Sequence, residues 1–598
     1  MSLPVTDMDL LSFTFGGPKP YNLNQPLFID AEDPSRSFTA AQFRQLVQTL
    51  IAGFKAHNIQ PGDCVLLHLG NSIVYPALFF GIIGAGGVYM GSNPRSQPQE
   101  LDHILGLAEP KLILTTREAL ATVLDVSTPR GIHPAQVCVV DERAIDYCAQ
   151  LFLWYELGYS AAGSFIGMGD AQHSSIANLL CYGQSDWVRF NESVAKTTPA
   201  AMFSTSGTSG LPKAAVLSHH AIVSQHRSIY YDVPYPVSRL MSLPMFHLFG
   251  ALWTHLFPVR YGHPLFVLPR FEVNEFLTTV HKYKISETYL VPAIIHSLNQ
   301  STQPVSEYLS SLRYVGVAGA CIDGTSIQTF RDRLSPLAYA CQIWGMTEVG
   351  VVFQTRYGQA GDPASIGTQL AGYEVRLMDQ DGIVQGDQRA GELYVRGPGL
   401  LSAYKGRADA LEPDGWYRTG DVAMVKQGQF YIVGRTKELI KVRGSVLHLA
   451  VSIDHTNSIH RWQVAPAEVE AVLLQHPGIT DAAVIGVNKS GLGEVPRAFV
   501  VRSREPGMRR LTGEQVYRHV RQHLASYKSL EGGVIFVEEI PRTASGKIQR
   551  FRLDQMNTYR EMVASLLSRY EVDGASDNRR RRRRHVPVGV ASEGRVRV

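Results

Sequence analysis

Cysteine is scarce in this sequence: six in 598 residues, at 64, 138, 148, 181, 321 and 341, with no C-x-x-C among them. That spacing excludes a cysteine zinc site and a disulfide scaffold, and points to a reducing compartment. Charge is sparse and nearly balanced. The formal net charge is +4, but residues 573–598 carry eight arginines against Asp573, Asp577 and Glu593, which is +5 and leaves the rest at −1. A body of that charge has no electrostatic footprint for nucleic acid, and no nucleic-acid partner is expected. The run 578–585 (NRRRRRRH) has no apolar surface to bury and is predicted to be a disordered tail.

Long apolar runs are missing as well. The opening residues, MSLPVTDMDLL, have no basic region followed by an apolar core, so no signal peptide is predicted. One stretch, 73–90, is uncharged for eighteen residues, but it contains Pro76, Gly84, Gly86 and Gly87. It reads as a buried helix running into a turn and a short strand rather than a membrane span. The last four residues are not an S-K-L address. The expectation is a cytoplasmic chain with no integral membrane segment.

What is present is ordinary for a globular protein, with 45% hydrophobic and 18% charged residues. A chain of this length exceeds one core, so two or more domains are expected. Residues 38–59 read as an amphipathic helix with Thr39 as N-cap. A Pro61-Gly62-Asp63 turn then leads to an apolar strand at 64–69. Segments 111–115 and 137–140 are further buried strands. Strands alternating with helical patterns predict α/β layers with mainly parallel sheets. Residues 151–173, rich in aromatics and glycine with little period, read as an insertion or a gene-model error.

The stretch that organises the chain is 202–218, MFSTSGTSGLPKAAVLS. Gly207 and Gly210 let the backbone approach a ligand closely. Successive N–H groups in such a loop form an anion-binding concavity. The hydroxyls of Thr205, Ser206, Thr208 and Ser209 add donors, and Lys213 adds a cation. This is a phosphate cradle, but not a Walker A loop, because Lys213 follows Pro212 and precedes Ala214.

Other motifs follow in order: MSLPMFHLFG (241–250), LRYVGVAGA (312–320), QIWGMTEVG (342–350), WYRTGDV (416–422), VGRTKELIKVRG (433–444) and PRTASGKIQR (541–550). With the cradle, they resemble the acyl-adenylate-forming enzymes, from about residue 28 to about residue 554. That superfamily includes acyl-CoA synthetases, 4-coumarate–CoA ligases, beetle luciferases and peptide-synthetase adenylation domains; the nearest likeness is to the 4-coumarate–CoA ligase branch. The resemblance implies a large N-terminal domain of layered, mostly parallel sheets with helices, and a small mobile α+β C-terminal domain. The bounds expected are 1–433, 434–570 and a tail at 571–598.

It also implies an activity. A carboxylic acid attacks ATP to give an acyl-AMP, and coenzyme A then takes the acyl group as a thioester, with Mg²⁺ assisting. The acid is expected to be aromatic, phenylpropanoid-like, or of medium to long chain. The chain is expected to act as a monomer or homodimer. The resemblance assigns roles to residues. Thr205, Ser206, Gly207, Thr208, Ser209, Gly210 and Lys213 cradle phosphates. Gln342, Trp344 (where the family usually has Tyr) and Gly345 border the nucleotide. Thr347 offers a hydroxyl to phosphate, and Glu348 an oxygen to Mg²⁺. Asp421 and Arg435 hold the ribose. His247, Gly319, Ala320 and Met346 line the acyl pocket. Lys437 is the hinge, and Arg443, Gly444 and Gln463 shape the CoA side. Lys547 is the adenylation lysine. Two rival readings are an adenylating enzyme with another acceptor and a nucleotide-binding relic.

One departure stands out. The family pattern passes from K-x-x-G directly to an aromatic residue and Q-V-x-P-x-E. Here residues 445–461, SVLHLAVSIDHTNSIHR, separate Gly444 from Trp462. The segment reads as a short intron carried into the sequence, with a genuine loop insertion as the second reading.

Overall fold

The computed structural model describes residues 9–140, 143–158, 174–205, 212–359, 361–407, 409–443, 461–489, 493–503, 510–543 and 546–558, with backbone only at 443 and 461–463. The cradle residues 206–211, most of the 151–173 and 445–461 segments, and the arginine-rich tail lie outside the described residues. The chain divides into two compact units, 1–548 and 549–598.

Within the first unit the local expectations are met for identifiable reasons. The helix Ala40–Ala56 starts where Thr39 accepts from the Gln42 N–H and Gln42 answers with a bond to the Thr39 N–H. Residues 73–90 fold into the helix Tyr75–Gly84, a turn with Gly86 at φ +97, and the strand Val88–Ser92. All of that helix is buried against other protein. Among the described residues, no helix is long and apolar enough to cross a membrane. The helix Ala144–Glu156 continues into the first part of the 151–173 segment and buries Leu151 and Phe152.

Two large sheets form the N-terminal body. One has eight strands. Its middle is parallel, from Pro199–Thr205 through Val88–Ser92, Cys64–His68, Leu112–Thr115 and Val137–Val139 to Ser174–Ser175. The other has nine strands, with Ile29, Phe266, Leu240, Thr288, Val315 and Ala340 on successive parallel strands. A third, wholly antiparallel sheet of five strands spans Glu374–Asp379 to Gln429–Arg435. The alternating burial of Ala390–Arg396 and Tyr417–Lys426 is the period-two signature of a sheet with one covered face. A smaller α+β body follows. Its sheet is built on the long hairpin Ile479–Lys489 and Gly493–Arg502, and the helices Pro466–Leu474 and Gly513–His523 pack on it.

The N-terminal body buries several imidazoles. Burial pushes His68 and His219 down to about 4, and His226 and His255 to about 3. Each stays neutral in the fold, while the unfolded chain binds a proton near 6.5. The unfolded state therefore binds more protons below 6.5. This part of the stability is complete above that pH and is lost as pH falls, at about 1.4 kcal/mol per histidine per pH unit at most. Thermal unfolding followed from pH 7.5 to 5.0 should show a steadily falling midpoint; a flat profile contradicts the neutral assignment.

Candidate active site

The cradle caps an antiparallel hairpin whose last described pair is Thr205 with Lys213. Lys213 is exposed and holds its ammonium 4.5 Å from the centre of the Tyr404 ring. Tyr404 reaches this hairpin through a short strand, Ala403–Tyr404, that pairs with Ala215 and Val216. Its hydroxyl donates to Glu348 Oε1 at 2.9 Å and lies 2.9 Å from the Tyr417 hydroxyl. One tyrosine thus joins the cradle lysine to Glu348.

Glu348 and Thr347 occupy the turn between Tyr339–Met346 and Gly350–Gln354, where Met346 pairs with Gly350. The turn is tight. A Cβ on Gly345 would fall 2.3 Å from the Gly350 carbonyl oxygen, so only glycine fits. Glu348 is buried, and its backbone carbonyl accepts from the Leu401 N–H. Earlier on the same strand Gln342 is buried, and its amide donates to the Pro363 carbonyl.

The Trp344 ring is buried, and its indole N–H donates to Asp421 Oδ2 at 2.9 Å. Arg435, the cross-strand partner of Asp421, places Nε 2.9 Å from Oδ1. The carboxylate is gripped from both sides, and the residues read as aromatic surface, ribose holder and charged contact form one unit. Lys437 is exposed in the turn that follows, where the Glu438 and Leu439 N–H groups return to the Arg435 carbonyl.

Lys547 comes from the far end of the first unit. Its loop is closed by paired bonds with Thr543 and by Arg542, which binds the Gly546 carbonyl and the Asp481 carboxylate. Gly546, at φ +82, lies against Val291: a Cβ there would be 3.2 Å from Val291 Cγ2. Burial and the Arg435 guanidinium press the Lys547 ammonium below its ordinary pKa, against the pull of Glu348, Asp421 and Glu438. His247 feels the same cation. Burial and Lys547 hold its imidazole down at about 4, so it is neutral at physiological pH.

The fold therefore brings together Lys213, Glu348, Trp344, Asp421, Arg435, Lys547 and His247 from segments as far apart as 213 and 547. Gly319, at φ +96, and exposed Ala320 follow the strand Tyr314–Val317, and Met346 is half-buried beside the Glu348 turn. Arg443 and Gln463 lie on paired strands of the smaller body, and Gly444 is outside the described residues. Tyr404, Tyr417 and Glu438 escaped the sequence reading. Tyr404 and Glu348 meet across 56 positions, and a tyrosine before Lys-Gly carries no local sign of that.

The AMP-binding enzyme family model matches residues 21–405, and that of the AMP-binding enzyme C-terminal domain matches 468–547. Among curated relatives, the nicotinic acid–CoA ligase olcI of Penicillium canescens is 50% identical over 565 residues, covering 94% of this chain and 100% of that protein. The nicotinic acid–CoA ligase pyr1 of Aspergillus fumigatus is 51% identical over 577 residues, covering 94% and 99%. Among solved structures, the anthranilate CoA ligase AuaEII in complex with anthranoyl-AMP superposes with a TM-score of 0.76. It is 21% identical and covers 94% of this chain and 99% of that one. That likeness is one of fold.

Proposed function

We propose that this chain, which belongs to the AMP-binding enzyme family and is an ATP-dependent acid–CoA ligase, takes nicotinic acid as its carboxylic acid. The observation that carries this is the identity of about one residue in two, over nearly the whole chain, to two ligases named for that acid. The acid is activated as an acyl-AMP with loss of pyrophosphate, and coenzyme A then displaces AMP.

The residue roles belong to the same proposal. Attack of a carboxylate on phosphorus moves no proton, so the site must align two anions and absorb charge. Lys213, Lys547 and Arg435 supply positive charge around that point. Asp421, held by Trp344 and Arg435, accepts from ribose hydroxyls. The neutral His247 walls the acyl pocket without acting as a base. Mg²⁺ fits Glu348. Among the described residues no group of three or more His, Cys, Asp or Glu is placed to hold a metal, so one carboxylate with phosphate and water oxygens is the donor set that remains. Bound there, Mg²⁺ supplies neutralisation of phosphate charge.

The domain bounds belong to the same proposal, 1–433, 434–570 and a tail from 571, with the exposed Lys437, just after the strand Gln429–Arg435, as the hinge. The reading includes a cytoplasmic setting and a monomer or homodimer.

The test is thioester formation with ATP and coenzyme A across nicotinate, benzoate, 4-coumarate and hexanoate. Nicotinate should give the highest kcat/KM, by tenfold or more; a higher value for any of the others overturns the assignment.

A further inference from the structure

The helix Pro98–Ala108 packs on one face of the eight-stranded sheet. Its apolar side, with Leu101, Ile104 and Leu105, shares a buried cluster with Met202 and Ala214 of the cradle hairpin. Two polar residues of the same helix end reach the elements that carry Lys213 and Tyr404. His103 is half-buried, and its Nε2 lies 2.7 Å from the Pro212 carbonyl oxygen, 109 positions along the chain. A carbonyl oxygen only accepts, so Nε2 carries the proton and donates it. Glu109, which ends the helix in the left-handed conformation at φ +46, brings a carboxylate oxygen to 3.2 Å from Lys405 Nζ. That pair is exposed and worth little by itself.

The His103 bond falls where the hairpin stops holding itself. The last described pair across the hairpin is Thr205 with Lys213, and Pro212 is the next residue beyond it. The ring of Pro212 fixes its own φ, and the planar peptide that follows carries the Pro212 carbonyl and the Lys213 N–H together. An oxygen pinned by His103 therefore sets the orientation of the Lys213 backbone. The other side of the same strand is held by the Lys405 N–H, which donates to the Ala214 carbonyl, and by Tyr404, which pairs with Ala215. The Lys213 ammonium rests 4.5 Å from the centre of the Tyr404 ring. One helix thus braces both the root of the lysine and, through Lys405, the aromatic surface its charge lies on.

We propose that His103 is a positioning residue for adenylation: through the Pro212 carbonyl it fixes the backbone that aims the Lys213 ammonium at the phosphates of ATP. This rests on the reading of Lys213 as a phosphate-binding cation. His103 touches no substrate. It acts on a side chain whose value depends on where it is held, since a charge displaced by about 1 Å at a reacting centre can cost up to 10²-fold.

The test compares H103M, which keeps side-chain length and loses the donor, with H103Q, whose amide N–H can still reach the carbonyl. Both residues are good helix formers. The readout is kcat/KM for ATP in ATP–pyrophosphate exchange, run with whichever of nicotinate, benzoate, 4-coumarate and hexanoate the wild type uses best. H103M should lose about 10-fold, and H103Q should stay within about twofold of wild type. Thioester formation from the preformed acyl-adenylate should be unchanged in both. In a K213A background, H103M should cost less than about twofold more, because the two residues act through one group. Equal exchange in H103M and H103Q overturns the inference. So does an equal loss in both half-reactions, which marks His103 as structural only, and so does a full 10-fold loss on top of K213A. If K213A itself keeps wild-type exchange, the reading of Lys213 falls and this inference with it. If K213A loses exchange while H103M matches H103Q, this inference alone falls. If H103M does not fold, H103A takes its place with the same expected losses.

Discussion

Replacing Lys547 with alanine should lower acyl-adenylate formation by about 10²–10³-fold, the effect of removing one preorganised electrostatic donor. The side chain sits where Arg435, Glu348, Asp421 and Glu438 set the local charge, and close enough to press down the His247 pKa. A cation there opposes the charge that develops as pyrophosphate leaves. Thioester formation from preformed acyl-adenylate breaks no phosphoanhydride and should be nearly intact. ATP–pyrophosphate exchange, measured beside CoA thioester yield from synthetic nicotinoyl-AMP, separates the two steps; equal losses in both would falsify the assignment. A pH signature accompanies it. The ammonium is the active form, and its pKa is held below that of an ordinary lysine. Wild-type adenylation should therefore decline on the alkaline side before a free lysine would titrate, and Lys547→Ala should lack that decline.

Excising residues 445–461 should raise thioester formation about 10- to 100-fold while changing adenylation much less. The strands Ile440–Arg443 and Arg461–Val464 are antiparallel neighbours, with Val442 opposite Trp462. Removing 445–461 leaves only Arg443 and Gly444 between those two partners. That is a two-residue hairpin loop with glycine second, where positive φ is demanded. The register on both sides can then persist without the segment, so the insertion is not needed to build the sheet. Its cost is one of placement. Arg443, Gly444 and Gln463 are proposed to shape the CoA side, and a misplacement of about 1 Å at a reacting centre can cost 10²-fold. Loop entropy is a minor term, at about 0.6 kcal/mol per doubling of length. Expressing both forms and comparing pyrophosphate exchange with thioester yield tests the functional claim. A mature transcript that encodes all seventeen residues would rule out the intron reading and leave a genuine insertion.

Much of the fold was legible because its signals are local. Thr39 spells an N-cap, Pro61-Gly62-Asp63 a turn, and Cys64–His68 a strand buried along its whole length. The sequence alone also determined the chemistry on offer: a Gly- and Ser-rich cradle ending in Lys213, a Thr347-Glu348 pair, Asp421, Arg435 and a lysine on a late loop. Each such motif is read over a few neighbouring residues, and their order along the chain names the family.

Which of these groups meet was decided by the tertiary structure. Asp421 takes its hydrogen bond from Trp344, 77 positions away, because two hairpins from different sheets face each other. Tyr404 became the link between Lys213 and Glu348 because the Ala403–Tyr404 strand pairs with the cradle hairpin. The helix after His247 reads simply as apolar. Only packing places Trp253 on Tyr289, with no partner for its indole N–H among the described residues. The physical reason is the same throughout. Backbone conformation follows from nearest neighbours along the chain, whereas charge, hydrogen bonding and pocket depth depend on atoms that the sequence separates and only the fold brings together.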